Sequence, residues 1–91
     1  MDVHKSPQEL LSLVAEKDPY WSQQSGLRAD SWPGQFPYKF SFCLAGDRYP
    51  FELQQEEVWE ISKAPDLREA ARTAFSLKMS LVASGRANFH Q

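Results

Sequence analysis

The sequence predicts an α+β fold in which an antiparallel β-hairpin, over about 38–44 and 49–54, is covered by a long C-terminal helix over about 67–84. Three observations carry this. Tyr38, Phe40, Phe42 and Leu44 alternate with Lys39, Ser41 and Cys43, and Tyr49, Phe51 and Leu53 alternate with Pro50, Glu52 and Gln54, the period-2 pattern of half-buried strands. Asp66-Leu67-Arg68-Glu69 reads as a capping box that opens a helical apolar pattern, and Gly85 stands where a helix C-cap belongs. The length of 91 residues supports one modest core and is too small for two, so 1–91 is read as a single domain.

At the front, 1–5 reads as a tail. Ser6-Pro7-Gln8-Glu9 then starts a helix, with Ser6 as N-cap, Pro7 at the first helical position and Glu9 placed to return a capping-box bond. Leu10, Leu11, Leu13 and Val14 form its apolar stripe. Asp18-Pro19 stops it, because the residue before a proline is pushed out of the α region. From 18 to 37 runs a long loop rich in Pro, Gly, Ser and Gln, through which Tyr20, Trp21, Leu27, Trp32 and Phe36 are spaced. A loop of that length is either functional or hides an element, and its aromatics argue against a disordered linker.

In the hairpin, Pro50 is taken to set the loop length. Among the loops considered, a two-residue Gly46-Asp47 loop would place Pro50 in a hydrogen-bonded pair and lose a ladder bond. A four-residue loop, Ala45-Gly46-Asp47-Arg48, avoids this. The expected register therefore pairs Leu44 with Tyr49, Phe42 with Phe51 and Phe40 with Leu53. For about 55–63 a short helix is favoured over a third strand, since acidic residues lead the segment and no tight-turn residues precede it. In the C-terminal helix, Leu67, Ala70, Ala71, Ala74, Phe75, Leu77, Leu81 and Val82 fill a wide apolar arc, with Phe75 expected between Phe42 and Phe51. Residues 86–91 read as a second tail.

The helix, antiparallel strands and long final helix are similar in layout to a double-stranded-RNA-binding domain. That family holds phosphates with lysines at the start of its last helix, where this chain has Asp66, Arg68, Glu69 and Arg72, and no residue is carried over from it. The net charge of −2 gives no general attraction to nucleic acid or anionic lipid. A lone cysteine excludes an internal disulfide. With no apolar leader and no run long enough to span a bilayer, the expected location is the cytoplasm and no membrane partner is expected.

Catalytic motifs are missing: there is no phosphate loop, nucleophile motif or dinucleotide fingerprint. No metal is expected, since His4 and His90 lie in the tails without further ligands at metal spacing, and no cofactor is expected either. Glu56, Glu57 and Glu60 read as solvated surface, and Cys43 as an unreactive thiol without a basic neighbour. The leading expectation is a small non-catalytic interaction or regulatory protein. Tyr20, Trp21, Trp32, Phe36 and Tyr38 are its candidate partner-binding residues, and its partner is another protein or a second copy.

Two securely read strands need a third, from 55–63, from the aromatic loop or from another chain. In the last case the outer edge of Tyr38–Leu44 would pair in a homodimer. An alternative is RNA binding through Lys39, Arg48, Arg68 and Arg72. A further alternative is a small-ligand pocket between the last helix and the hairpin, with Lys78 as its cation and the aromatic loop as its gate.

Overall fold

The computed structural model describes residues 5–32 and 34–89, the last four as backbone alone. Its elements are α1 (Pro7–Lys17), α2 (Pro19–Ser25), β1 (Arg28–Ala29), β2 (Tyr38–Leu44), β3 (Asp47–Leu53), α3 (Gln55–Ser62) and α4 (Leu67–Phe89). The sheet is antiparallel in the order β1-β2-β3. The fold is thus α+β, with the long C-terminal helix packed on the sheet.

Helix α1 starts as its sequence predicts. The Ser6 amide donates to Glu9 Oε1 at 2.9 Å and the Glu9 amide donates to Ser6 Oγ at 3.2 Å. The backbone hydrogen bond from Ser6 lowers the Glu9 carboxyl below the ordinary carboxylate value. Pro7, Leu10 and Val14 are buried, and α1 lies along α4. Exposed ion pairs join the two helices, Arg68 to Glu16 at 2.6 Å and Lys17 to Glu69 at 3.4 Å. Such pairs contribute little, so the apolar contacts hold this packing. Of the front tail, residues 1–4 lie outside the described residues, while the Lys5 amide donates to Ser62 Oγ at 3.2 Å.

The hairpin register differs from the expectation by two residues. Leu44 pairs with Asp47, Phe42 with Tyr49, Phe40 with Phe51 and Tyr38 with Leu53, leaving Ala45-Gly46 as a two-residue turn. Both turn residues have positive φ, 54° and 87°, the signature of a type I′ turn whose twist matches the flanking strands. Pro50 faces Ser41. The closing pair Leu44–Asp47 is hydrogen-bonded, pairs alternate from there, and Ser41–Pro50 is non-bonded, with the missing N–H on the outer side. Pro50 thus fixes the parity of the pairing and not the loop length. A slip of two keeps every side chain on its face, and Tyr38, Phe40, Phe42, Phe51 and Leu53 are all buried.

The changed register also moves Phe75. Its fully buried ring sits 4.9 Å from Phe40 and 5.5 Å from Phe51, edge-on to the latter, rather than between Phe42 and Phe51. Leu10 and Val14 of α1, Val58 and Ile61 of α3 and Ala71 of α4 complete the core.

The third strand comes from the long loop. Arg28 pairs with Ser41 and Ala29 with Phe40, and the Asp30 amide donates to the Lys39 carbonyl at 2.8 Å. The edge of β2 expected to recruit another chain is therefore occupied from within along 39–41. The segment 55–63 forms the expected short helix. Its start is fixed by Glu57, whose Oε1 accepts from the Gln54 amide at 2.8 Å. Gly85 does not end α4, which continues to Phe89. Gly85 has no positive φ, the conformation a C-cap glycine supplies, so of the expected tail 86–89 continue the helix, while 90–91 lie outside the described residues.

Candidate functional site

The segment from Asp18 to Pro37 is built from side-chain braces. Asp18 ends α1 and caps α2, its Oδ1 accepting from the Trp21 amide at 3.1 Å. Its other oxygen pairs with Arg72 Nη2 at 3.2 Å. The Arg72 guanidinium lies 4.0 Å from the Trp21 ring centroid and donates to Ser76 Oγ. One arginine on α4 thereby pins α2 by charge, by stacking on an aromatic face and through its planar fork of donors.

A second arginine braces the next stretch. Gly26 ends α2 in the left-handed region, φ 62°, and a Cβ there would come within 2.9 Å of Cys43 Sγ. Arg48 reaches from β3 across the open sheet face, donating to the Gly26 carbonyl at 3.0 Å, to Ser41 Oγ at 2.9 Å and to Cys43 Sγ at 3.3 Å. The buried Ser41 hydroxyl is thus satisfied. Cys43 does have a basic neighbour, which the expected register had set apart from it and the actual pairing places directly opposite.

The end of the segment is tied to the start of β2. Ser31 Oγ accepts from the Lys39 amide at 3.0 Å, and the Trp32 carbonyl accepts from Gln35 at 3.3 Å. The Gly34 amide donates to Tyr38 Oη at 3.4 Å, and Phe36 stacks on Tyr38 at 4.5 Å.

These braces sort the five aromatic candidates. Tyr38 is core, Phe36 is half-buried against it, and Trp21 is held under Arg72. Tyr20 and Trp32 are each 74% exposed. They do not form one patch. Trp21, next to Tyr20, shares a groove with Phe42, Cys43 and Leu44 at the end of β2, whereas Trp32 shares one with Phe36, Pro37 and Lys39 at its start. A seven-residue strand, roughly 20 Å, lies between.

The basic candidates do not form a shared surface either. Arg48 and Arg72 are committed to the braces and Arg68 to Glu16, while Lys39 is exposed on β2. Lys78 pairs with Glu57 Oε2 at 2.8 Å, its side chain about a quarter exposed. It lines an open groove of about 460 Å³ between β3 and α4 with Pro50, Phe51, Gln54, Leu81 and Val82. Of the acidic trio, Glu57 serves the Gln54 amide and Lys78, Glu60 pairs with Lys63 at 3.0 Å, and Glu56 is exposed. Among the described residues no three His, Cys, Asp or Glu side chains converge on a metal-sized site. His4 and His90 lie outside the described residues.

Sequence reasoning missed Leu77 and Leu81 as surface residues, having placed them only in the wide apolar arc of the last helix. Both are 60% exposed. The signal was the arc itself: eight apolar positions span more of the helix than one sheet face and two short helices can cover.

Comparison with protein-family models, with curated proteins and with solved structures finds no match to this chain.

Proposed function

We propose that this chain is a non-catalytic protein-interaction module whose principal anchor is Trp32. The supporting observation is that this large indole is 74% exposed while its surroundings are tied to β2 by Ser31, Gly34 and Phe36. Leaving a tryptophan in water forfeits apolar burial that a partner can recover. Tryptophan is also among the residues that most often dominate interface energetics. A framed anchor has little ordering cost left on binding.

The arginines that would serve RNA are already engaged within the chain, so no observation favours that reading. Among the described residues no helix is long and apolar enough to cross a membrane. With its single, exposed thiol, the protein is taken to act in the cytoplasm, where thiols stay reduced.

The test compares the wild type with Trp32→Ala in quantitative capture from the native lysate, followed by titration of the recovered partner. Trp32→Ala is expected to retain the wild-type melting temperature and to weaken that partner about tenfold or more. Equal capture and equal affinity would overturn the assignment.

A further inference from the structure

We infer that the outward face of α4 is a self-association surface, on which a second copy docks its own α4 antiparallel about a two-fold axis near Lys78–Met79. This goes beyond the Trp32 reading and rests on different residues. A surface helix ordinarily turns charge to water, as α1 does with Glu9, Glu16 and Lys17 and α3 with Glu56 and Glu60. Helix α4 does the reverse. Between Ala70 and Gly85 its charged residues are Arg72 and Lys78, and both turn inward to intrachain partners, Asp18 and Glu57. The side facing water carries Thr73, Leu77, Ser80, Leu81 and Ser84, all exposed, with no charge over about 17 Å of helix.

The choice of occupant follows from symmetry. A two-fold axis places residues near it beside their own copies, so any charge on the seam meets its like. A charge-free seam escapes that repulsion, whereas discrimination between unlike partners relies heavily on complementary charge. Thr73, Leu77, Ser80 and Ser84 recur at the 4-3-4 spacing of a helix-pair seam. In the antiparallel register Leu77 meets Ser80 of the other copy and Thr73 meets Ser84, so a large side chain enters the space left by a small one. The helix dipoles then oppose favourably. Leu81 borders the groove beside Pro50 and Phe51 and extends the apolar contact. Two helices of this length bury an area at the low end of specific interfaces, so the dimer is weak and forms in the range of roughly 10 µM to 1 mM.

The experiment is sedimentation equilibrium across that range on the wild type and on Leu77→Glu. A monomer–dimer equilibrium is expected for the wild type, with the dissociation constant raised about tenfold or more in Leu77→Glu. Since Leu77 is already exposed, Leu77→Glu is expected to keep the wild-type circular dichroism, and Leu77→Ala, if its dimer is also weaker, gives the same answer without an added charge. In a Cys43→Ser background, Ser80→Cys should cross-link to itself with a short bismaleimide. Thr73→Cys, whose copies lie about 16 Å apart along the antiparallel axis, should not. A monomeric wild type at the highest concentration, a dimer indifferent to both Leu77 substitutions, or self-cross-linking at both positions would overturn the proposal. None of these outcomes bears on Trp32, and Trp32→Ala should leave the dimer unchanged.

Discussion

Replacing Ala45 by asparagine should stabilise the protein, and the size of the gain follows from the hairpin turn. Ala45 has φ 54° and Gly46 φ 87°. A left-handed conformation costs a residue with a Cβ about 1–2 kcal/mol. Asparagine tolerates it better, and Asn-Gly is the favoured pair for a two-residue hairpin turn. Ala45 is exposed, so no packing is lost, and the expected gain is about 0.5–1 kcal/mol, part of the strain removed. In a domain of this size that raises Tm by about 2–8 °C, readily measured by thermal denaturation followed by circular dichroism. Gly46→Ala is the reciprocal change. A Cβ at Gly46 has nothing within 4 Å, so its cost is purely conformational, about 1 kcal/mol or more. The four-residue loop would release Ala45 and Gly46 from the paired positive φ values of a type I′ turn. An unchanged or lowered Tm in Ala45→Asn, with Gly46→Ala tolerated, would refute the two-residue turn and the register that depends on it.

Phe75→Ala should cost about 3–5 kcal/mol, because the ring is fully buried between Phe40 and Phe51. That is a large share of the ~5–14 kcal/mol available to a chain of this length, and a urea midpoint that moves by less than about 0.5 M would contradict it. Arg72→Lys keeps the charge toward Asp18 but loses the stack on Trp21 and the planar fork, and should lower stability by about 1–2 kcal/mol with a shift in tryptophan emission. A variant matching wild type in both would show that the brace is a surface ion pair only. Lys78→Met keeps the apolar stem and removes a partly exposed pair with Glu57, so its denaturation free energy should stay within about 1 kcal/mol of wild type. A loss above about 2 kcal/mol would mean a buried, strongly coupled ammonium.

What could be read directly from the residues was local. The capping box at Ser6 and Glu9, the alternation on β2 and β3 and the capped start of α4 each involve neighbours in sequence, and each stands in the structure. The register failed because alternation fixes which face a side chain takes and leaves shifts of two residues undecided. The decision fell to Ala45, a residue not usually associated with positive φ. Strand β1 was unreadable for a different reason. Two residues carry no periodicity, and their place is set by pairing with Phe40 and Ser41 of β2, with Arg48 holding the preceding turn at Gly26. The candidate site was legible to the same extent. Tyr20 and Trp32 emerged as exposed aromatics, but nothing local could show that Trp21 would be taken by Arg72 or that Leu77 would face water.

Asp18 has a consequence for the order in which the molecule assembles. Its carboxylate both starts α2 and grips Arg72, 54 positions away. A seven-residue helix is too short to persist alone, whereas the hairpin closes over two residues. The hairpin can therefore form early, while α2 must wait until the far end of the chain has folded back. In native-state hydrogen exchange, amides 21–25 should open through a smaller event than those of β2 and β3, and open more often when Arg72 is altered. The stretch around Tyr20 is then expected to be the last built and the first released, through its contact with the C-terminal helix, while the stretch around Trp32 keeps its own ties to β2.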